Sequence, residues 1–411
     1  MQIRMAISAK NREAVKKMGK RTYGAEYGFQ TRAVHTGNDV DAETGAIKRP
    51  ITMANSYELP YDPSDLNWSS AGKNLYTRNG GSNQQYLQEK LASLEGGEDC
   101  IVLASGVAAL SGLFFALLQS GDHVIFSSVT YIAVYRLLNE LFNNKFQVET
   151  TIVDTSDLDA IRKAIRPNTK LIHIETPGNP TLTVSDIRAI AEIAHEHDIL
   201  LSVDNTFASP YNQRPIELGA DMVIHRGTKF LGGHNDTLAG FLCSADEEIA
   251  KKIRYIYKTV GSCLAPFDSY LILRGIKTLS VRLRAQQDNA MKIANWLKGH
   301  EKVKQVYYVG LEEHPGYGVN ASQASGFGSM ISFKVDSEAT ARKLLESVKL
   351  IAYAESLGGV ESLITYPMLQ THGDLPVEIR EKLGITEDFL RMSVGIENAE
   401  DLIKDLEQAF Q

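Results

Sequence analysis

A chain of 411 residues is long enough for two or three domains around a sizeable core, and 43% hydrophobic with 23% charged residues excludes disordered, collagen-like and coiled-coil architectures. Against 50 acidic side chains stand 43 basic ones, a net charge of −7 that lacks the basic excess of a dedicated nucleic-acid binder. A small-molecule ligand is expected, in a soluble protein, because no apolar run reaches the roughly 20 residues of a membrane-spanning helix.

The first two dozen residues are basic with a single acid, Glu13. That pattern fits a targeting peptide less well than a solvated or partner-contacting arm. Up to about Asn79 the chain is rich in Asn, Asp, Gly and Tyr and reads as an extended arm. From Cys100 to about Ser244 short apolar runs, CIVLASG, HVIFSSV, KLIHIET, ILLSVDNT, DMVIHRGTK and LAGFLCS, alternate with helical stretches. Such runs are strands buried on both faces and joined by right-handed crossovers, which predicts a mostly parallel sheet with helices on both faces. Ser185 to Asp198 carries Ile187, Ile190, Ala191, Ile193 and Ala194 at helical spacing and leads straight into ILLSVD. From Leu271 a long helix through Ala294 and Trp296 is expected, then the strand-like runs VKQVYYV and GSMISFKV and a last helix, AEDLIKDLEQAF. The expected division is an arm over residues 1–79, an α/β domain over 80–272 and a smaller α+β domain over 273–411. Cys100, Cys243 and Cys263 show no paired spacing, which argues against a disulfide framework or metal knuckle and for a reducing, cytoplasmic setting.

Three features carry chemistry. Lys229, in DMVIHRGTKFLGGHND, follows a strand in apolar surroundings. A lysine after a strand is ordinarily a surface charge, but a desolvated one has a lowered pKa and can attack a carbonyl to form a Schiff base. Asp204 ends ILLSVD, and in open parallel sheets the ligand crevice lies at the carboxyl ends of the strands. A buried acid there requires a cationic partner, such as a protonated pyridine nitrogen. In ASGVAAL, a small-residue turn opens a helix, so Ser105, Gly106 and Val107 can present N–H groups to a phosphate. Together they describe a fold-type I enzyme dependent on pyridoxal 5′-phosphate (PLP).

With the segments YTRNGGSN, ASGVAAL, ETPGNPTL, VDNTFASPYNQRPIELGAD, TKFLGGHND, PFDSYLILRGIKTL, AESLGGVESLI and LRMSVGIE, the chain resembles the PLP-dependent trans-sulfuration enzymes of cysteine and methionine metabolism from about Gly28 to its end. The resemblance implies that Lys229 links to the cofactor aldehyde, that Asp204 faces the pyridine nitrogen, and that Tyr131 stacks on the ring and assists proton transfer. It implies cofactor contacts from Gly106, Val107, Thr206 and Thr228. Tyr76 and Arg78 match a pair that reaches the phosphate of a neighbouring subunit, so the resemblance implies a homo-oligomer, a dimer with shared sites and a tetramer of such dimers. Arg391 matches the arginine that grips the substrate α-carboxylate, with Asn179 and Ser356 as helpers. Glu355 and Arg136 match residues of the distal pocket in the cystathionine enzymes.

One position departs from the pattern. Relatives carry a serine three places before the lysine, and here it is Arg226. Phosphate binding by Arg226 is the favoured expectation, with contact to an anionic substrate group or an outward rotamer left open. Glu355 points to elimination or replacement at the γ-carbon of cystathionine or an O-acylhomoserine. Ala133, where methionine γ-lyases carry a cysteine, disfavours methionine. The run Ile132, Ala133 and Val134 replaces a glycine-rich one, which leaves room for a less common γ-substituted substrate. A β-eliminating enzyme is the nearer rival, and a catalytically silent cofactor-binding protein the more distant one.

Overall fold

The computed structural model describes residues 23–65 and 75–411. Most of the basic first two dozen residues, and with them the choice between arm and targeting peptide, lie outside the described residues.

The chain builds two sheets. The larger has seven strands, β1 (Asp99–Leu103), β2 (His123–Ser127), β3 (Glu149–Val153), β4 (Thr169–Glu175), β5 (Leu200–Asp204), β6 (Met222–Arg226) and β7 (Gly240–Ser244), in the order β1-β7-β6-β5-β4-β2-β3. β2, β6 and β7 are buried along their whole length, as continuous apolar runs require. β7 departs from the parallel expectation: it pairs antiparallel with both β6 and β1. A parallel return needs a crossover, usually helical, and no helix lies between Arg226 and Gly240, so the chain can only turn back. β3 carries no continuous apolar run, which is why pattern alone misses it; it is the half-exposed edge.

Between β4 and β5 the helix Ile187–His195 is capped by the Asp186 carboxylate and buries the five apolar residues expected of it. The long helix predicted from Leu271 is two helices, Pro266–Ile276 and Leu279–Lys298. They part where the Arg282 guanidinium donates to the Gly275 carbonyl and takes over a helix-end acceptor.

The smaller sheet, in the order β10-β11-β12-β9-β8, comprises β8 (Val303–Tyr307), β9 (Met330–Val335), β10 (Ala352–Tyr353), β11 (Leu363–Thr365) and β12 (Phe389–Ser393). Leu279–Lys298, Glu338–Ser347 and Ala399–Phe410 pack against it around Ile331, Phe333, Leu390 and Met392. The last helix inserts Leu402, Leu406 and Phe410, each worth about 1.5–3 kcal/mol of burial.

Candidate active site

Parallel register sets the charged residues side by side. Glu175 and Asp204 are partners at the carboxyl ends of β4 and β5. Asp204 is also level with Ile224, and alternation puts Arg226, two residues on, on the same face at the end of β6. Asp204 and Glu175 are fully buried, and the Arg226 guanidinium Nη2 lies 3.0 Å from Asp204 Oδ2 and 2.9 Å from Glu175 Oε1. Thr206 donates from its N–H and hydroxyl to Asp204 Oδ1, and its Oγ1 accepts from Arg226 N at 2.9 Å and Nε at 3.3 Å. The guanidinium stacks 4.6 Å from the Tyr131 ring centroid. Tyr131 is itself fixed by its N–H, which donates to Glu175 Oε2 at 2.8 Å. Burial pushes the Glu175 carboxyl up to about 7, against the pull of Arg226. Burial opposes the charge on Arg226, but Asp204 and then Glu175 more than offset it and raise its pKa.

Beside this cluster the helix Gly106–Leu117 begins. Ser105 caps it by accepting from the Ala108 N–H at 3.1 Å, which leaves the first-turn N–H groups of Gly106 and Val107 without an intrahelical partner. The Arg226 stem runs against this helix start so closely that a Cβ on residue 106 would overlap it. The guanidinium, however, goes past the helix start to Asp204. Phosphate binding by Arg226 is therefore not the arrangement seen.

Lys229 lies just beyond β6, and its Nζ donates to Ser356 Oγ at 2.7 Å. Burial first, then Arg226 and Arg391, lower its pKa to about 8, with Glu355 opposing. Ser356 has φ 110°, a left-handed conformation unusual for a side chain, and its carbonyl accepts from Arg391 Nη2 at 3.2 Å. Arg391 Nη1 donates to Asn179 Oδ1 at 2.7 Å. Arg391, on β12, is 2% exposed, has no carboxylate partner among the described residues, and leaves Nε unpartnered. Burial draws its pKa down to about 10, with Glu355 opposing.

A cavity of about 760 Å³ opens next to Lys229, bordered by Ala104, Thr228, Glu355, Ser356, Asp236 and Asp268. The exposed Glu355 thus sits at the mouth, and Thr228 exchanges hydrogen bonds with Ala239 across the turn. Three predicted residues are not brought in. Arg136 is exposed and pairs with Asp374 at 3.2 Å. Arg78, over the Tyr76 ring, donates to the Lys258 carbonyl, and neither contacts the Lys229 cluster within this chain. Glu175, which ends its strand as Asp204 does, carries no local sequence signal of its own, and neither does the buried pair of His225 with Glu95, whose Oε1 accepts from Asn205 Nδ2.

Ion-paired to an acid and face-on to a tyrosine, the seat already holds a flat, delocalised cation; a helix start with free N–H groups and a lysine amine with its pKa lowered to about 8 adjoin it. These features fit a protonated pyridine ring bearing a phosphate and an aldehyde, provided the Arg226 guanidinium withdraws. Fold and site define a fold-type I PLP-dependent enzyme.

The model of the family described as Cys/Met metabolism PLP-dependent enzyme matches residues 30–411. The chain is 42% identical over 382 residues to the cystathionine γ-lyase of Bacillus subtilis (strain 168), covering 93% of this chain and 99% of that protein. It is 44% identical over 388 residues to the canavanine γ-lyase of Rhizobium leguminosarum bv. trifolii (strain WSM2304), covering 93% and 96%. The solved cystathionine γ-lyase from Lactobacillus plantarum, complexed with L-serine, superposes with a TM-score of 0.89 at 40% identity over 93% of this chain and 98% of that one. The chain belongs to the PLP-dependent enzymes of cysteine and methionine metabolism, and its cofactor is pyridoxal 5′-phosphate.

Proposed function

We propose that the protein carries out elimination or replacement at the γ-carbon of a γ-substituted amino acid, with cystathionine or an O-acylhomoserine as the substrate type. The observation that carries this reading is Arg391, a buried guanidinium without a counter-ion, one serine away from a lysine amine of lowered pKa. A buried charge of that kind is an uncompensated cost until an anion arrives, and a planar fork suits a carboxylate.

When bound, PLP supplies the electron sink that makes the substrate Cα proton acidic. Asp204 holds the ring nitrogen protonated, Tyr131 covers the ring face, and Gly106, Val107 and Thr228 with Ser105 hold the phosphate. Arg391, oriented by Asn179, takes the α-carboxylate and so fixes which substrate face turns toward Lys229. Lys229, with a pKa near 8, is poised to take the Cα proton and, once it has handed that proton on, a proton from Cβ, so that the electron pair left at Cβ expels the γ-substituent. Glu355, at the cavity mouth, meets a distal ammonium. In this reading the cytoplasmic protein works as a homo-oligomer in which Tyr76 and Arg78 serve the neighbouring subunit's site, supported by Arg78 lying over the Tyr76 ring and donating to the Lys258 carbonyl, away from the contacts that Lys229 and Arg391 make. The names of the relatives run to both cleavage positions: cystathionine γ-lyase and canavanine γ-lyase fit this reading, and cystathionine β-lyases of similar identity fit the β-cleaving rival.

A substrate panel of cystathionine, O-acetylhomoserine and canavanine, run with and without cysteine and read by product mass, tests this. Release of 2-oxobutyrate, or capture of cysteine at Cγ, is the expected result. Pyruvate with homocysteine from cystathionine would replace it with β-cleavage, and no turnover by cofactor-loaded protein would leave a silent binding protein.

A further inference from the structure

We infer that Arg226 is a built-in occupant of the cofactor seat, so that PLP loads by exchange with its guanidinium. Four contacts converge on this group. Asp204 Oδ2 and Glu175 Oε1 form ion pairs with its Nη2 at 3.0 and 2.9 Å, Thr206 Oγ1 accepts from its Nε, and the Tyr131 ring covers its face. A pyridinium ring asks for the same acid edge and aromatic face. Arg226 is 5% exposed, and its stem lies against Gly106, where the helix start awaits a phosphate. One side chain thus crosses both halves of the seat, and ring and guanidinium exclude one another sterically.

The two carboxylates make this occupancy favourable in the cofactor-free protein. Two fully buried acids side by side carry a large desolvation cost unless a cation joins them. Arg226 is that cation until the ring nitrogen takes over at Asp204. The neighbouring cavity is bordered by three acids, Asp236, Asp268 and Glu355, and so offers a displaced cation a negative surrounding. A receptor whose open form is a minor fraction binds with apparent Kd raised by the inverse of that fraction, so nine-tenths occupancy by Arg226 weakens and slows loading about tenfold.

The inference rests on Lys229, Asp204 and Tyr131 being the cofactor seat, and the test separates the two. The probe is pyridoxine 5′-phosphate, the alcohol analogue, which binds without reacting at Lys229; its association with cofactor-free protein is followed by its own fluorescence. For the wild type the observed rate is expected to level off as the analogue concentration rises, because guanidinium release becomes limiting. Arg226→Ser is expected to remove the plateau and tighten binding about tenfold, and added methylguanidinium to slow its loading again. Equal affinities with a linear wild-type rate, or tighter binding by the wild type, would overturn the inference. Should Arg226→Ser not fold, the wild-type plateau and Arg226→Lys, which keeps the charge but loses the planar fork, decide it on the same criterion. Separately, borohydride with PLP is expected to trap cofactor on Lys229 of the wild type; failure there, with no analogue binding by any variant, would sink the seat and the exchange together.

Discussion

Two arginines are buried at this site, and they are kept in opposite ways. Arg226 is surrounded by its counter-ions, whereas Arg391 has an amide oxygen, a carbonyl and an empty Nε. Burial alone therefore does not distinguish a structural cation from a receptor; the inventory of partners does. A cation with its acids in place is closed to ligands until something competes for them. One held only by neutral dipoles is oriented and waiting.

Removing the waiting cation should break the comparison hardest. Arg391→Ala leaves no carboxylate stranded, so the protein stays folded by circular dichroism. Its kcat/KM falls on the order of a hundredfold or more, carried largely by KM, for every substrate with an α-carboxylate. Retained catalytic efficiency would show that the anion binds elsewhere. Glu355→Gln sharpens the other end of the pocket. KM for cystathionine is expected to rise about tenfold, the scale of one charge-assisted contact at a solvent-facing mouth, while O-acetylhomoserine, which has no distal ammonium, is barely affected. Equal effects on both substrates would remove Glu355 from distal recognition.

The smallest effect is electrostatic. Lys229 has a folded pKa of about 8 against an ordinary 10.5, because burial, Arg226 and Arg391 all oppose its charge. The cost of charging it is fully present below about pH 8 and is relieved as pH rises toward 10.5, so this amine contributes a rise in stability across that window. Its reactive neutral fraction grows over the lower part of the same range. Arg391→Gln removes one of the opposing cations and so moves the pH profile of covalent PLP loading to the alkaline side; an unchanged or acid-shifted profile would contradict the coupling.

Much of this was legible in the residues alone. The six apolar runs are all strands, and Lys229, Asp204 and the Ser105–Gly106 turn carry local signals at strand ends and a helix start. β3, at the solvated edge, lacked the apolar continuity that marks its neighbours. β7 runs antiparallel because of a connection without a helix, which run-by-run reading does not weigh. Arg391 looked like any strand arginine until the family pattern singled it out, since its neighbours Asn179 and Ser356 are distant in sequence. The destination of Arg226 was unreadable for a related reason: it depends on Glu175 and Asp204 lying in register across two crossovers.

Ser356 joins the two halves of the molecule at one residue. Its hydroxyl faces the amine carried by the seven-stranded sheet, and its carbonyl faces the guanidinium carried by the five-stranded one. A rigid-body shift of one sheet against the other therefore moves the amine relative to both Ser356 and the guanidinium. Any ligand gripped by Arg391 is aligned with Lys229 through a single left-handed residue, and small changes in how the sheets sit on each other will be felt as changes in chemistry before they are felt as changes in affinity.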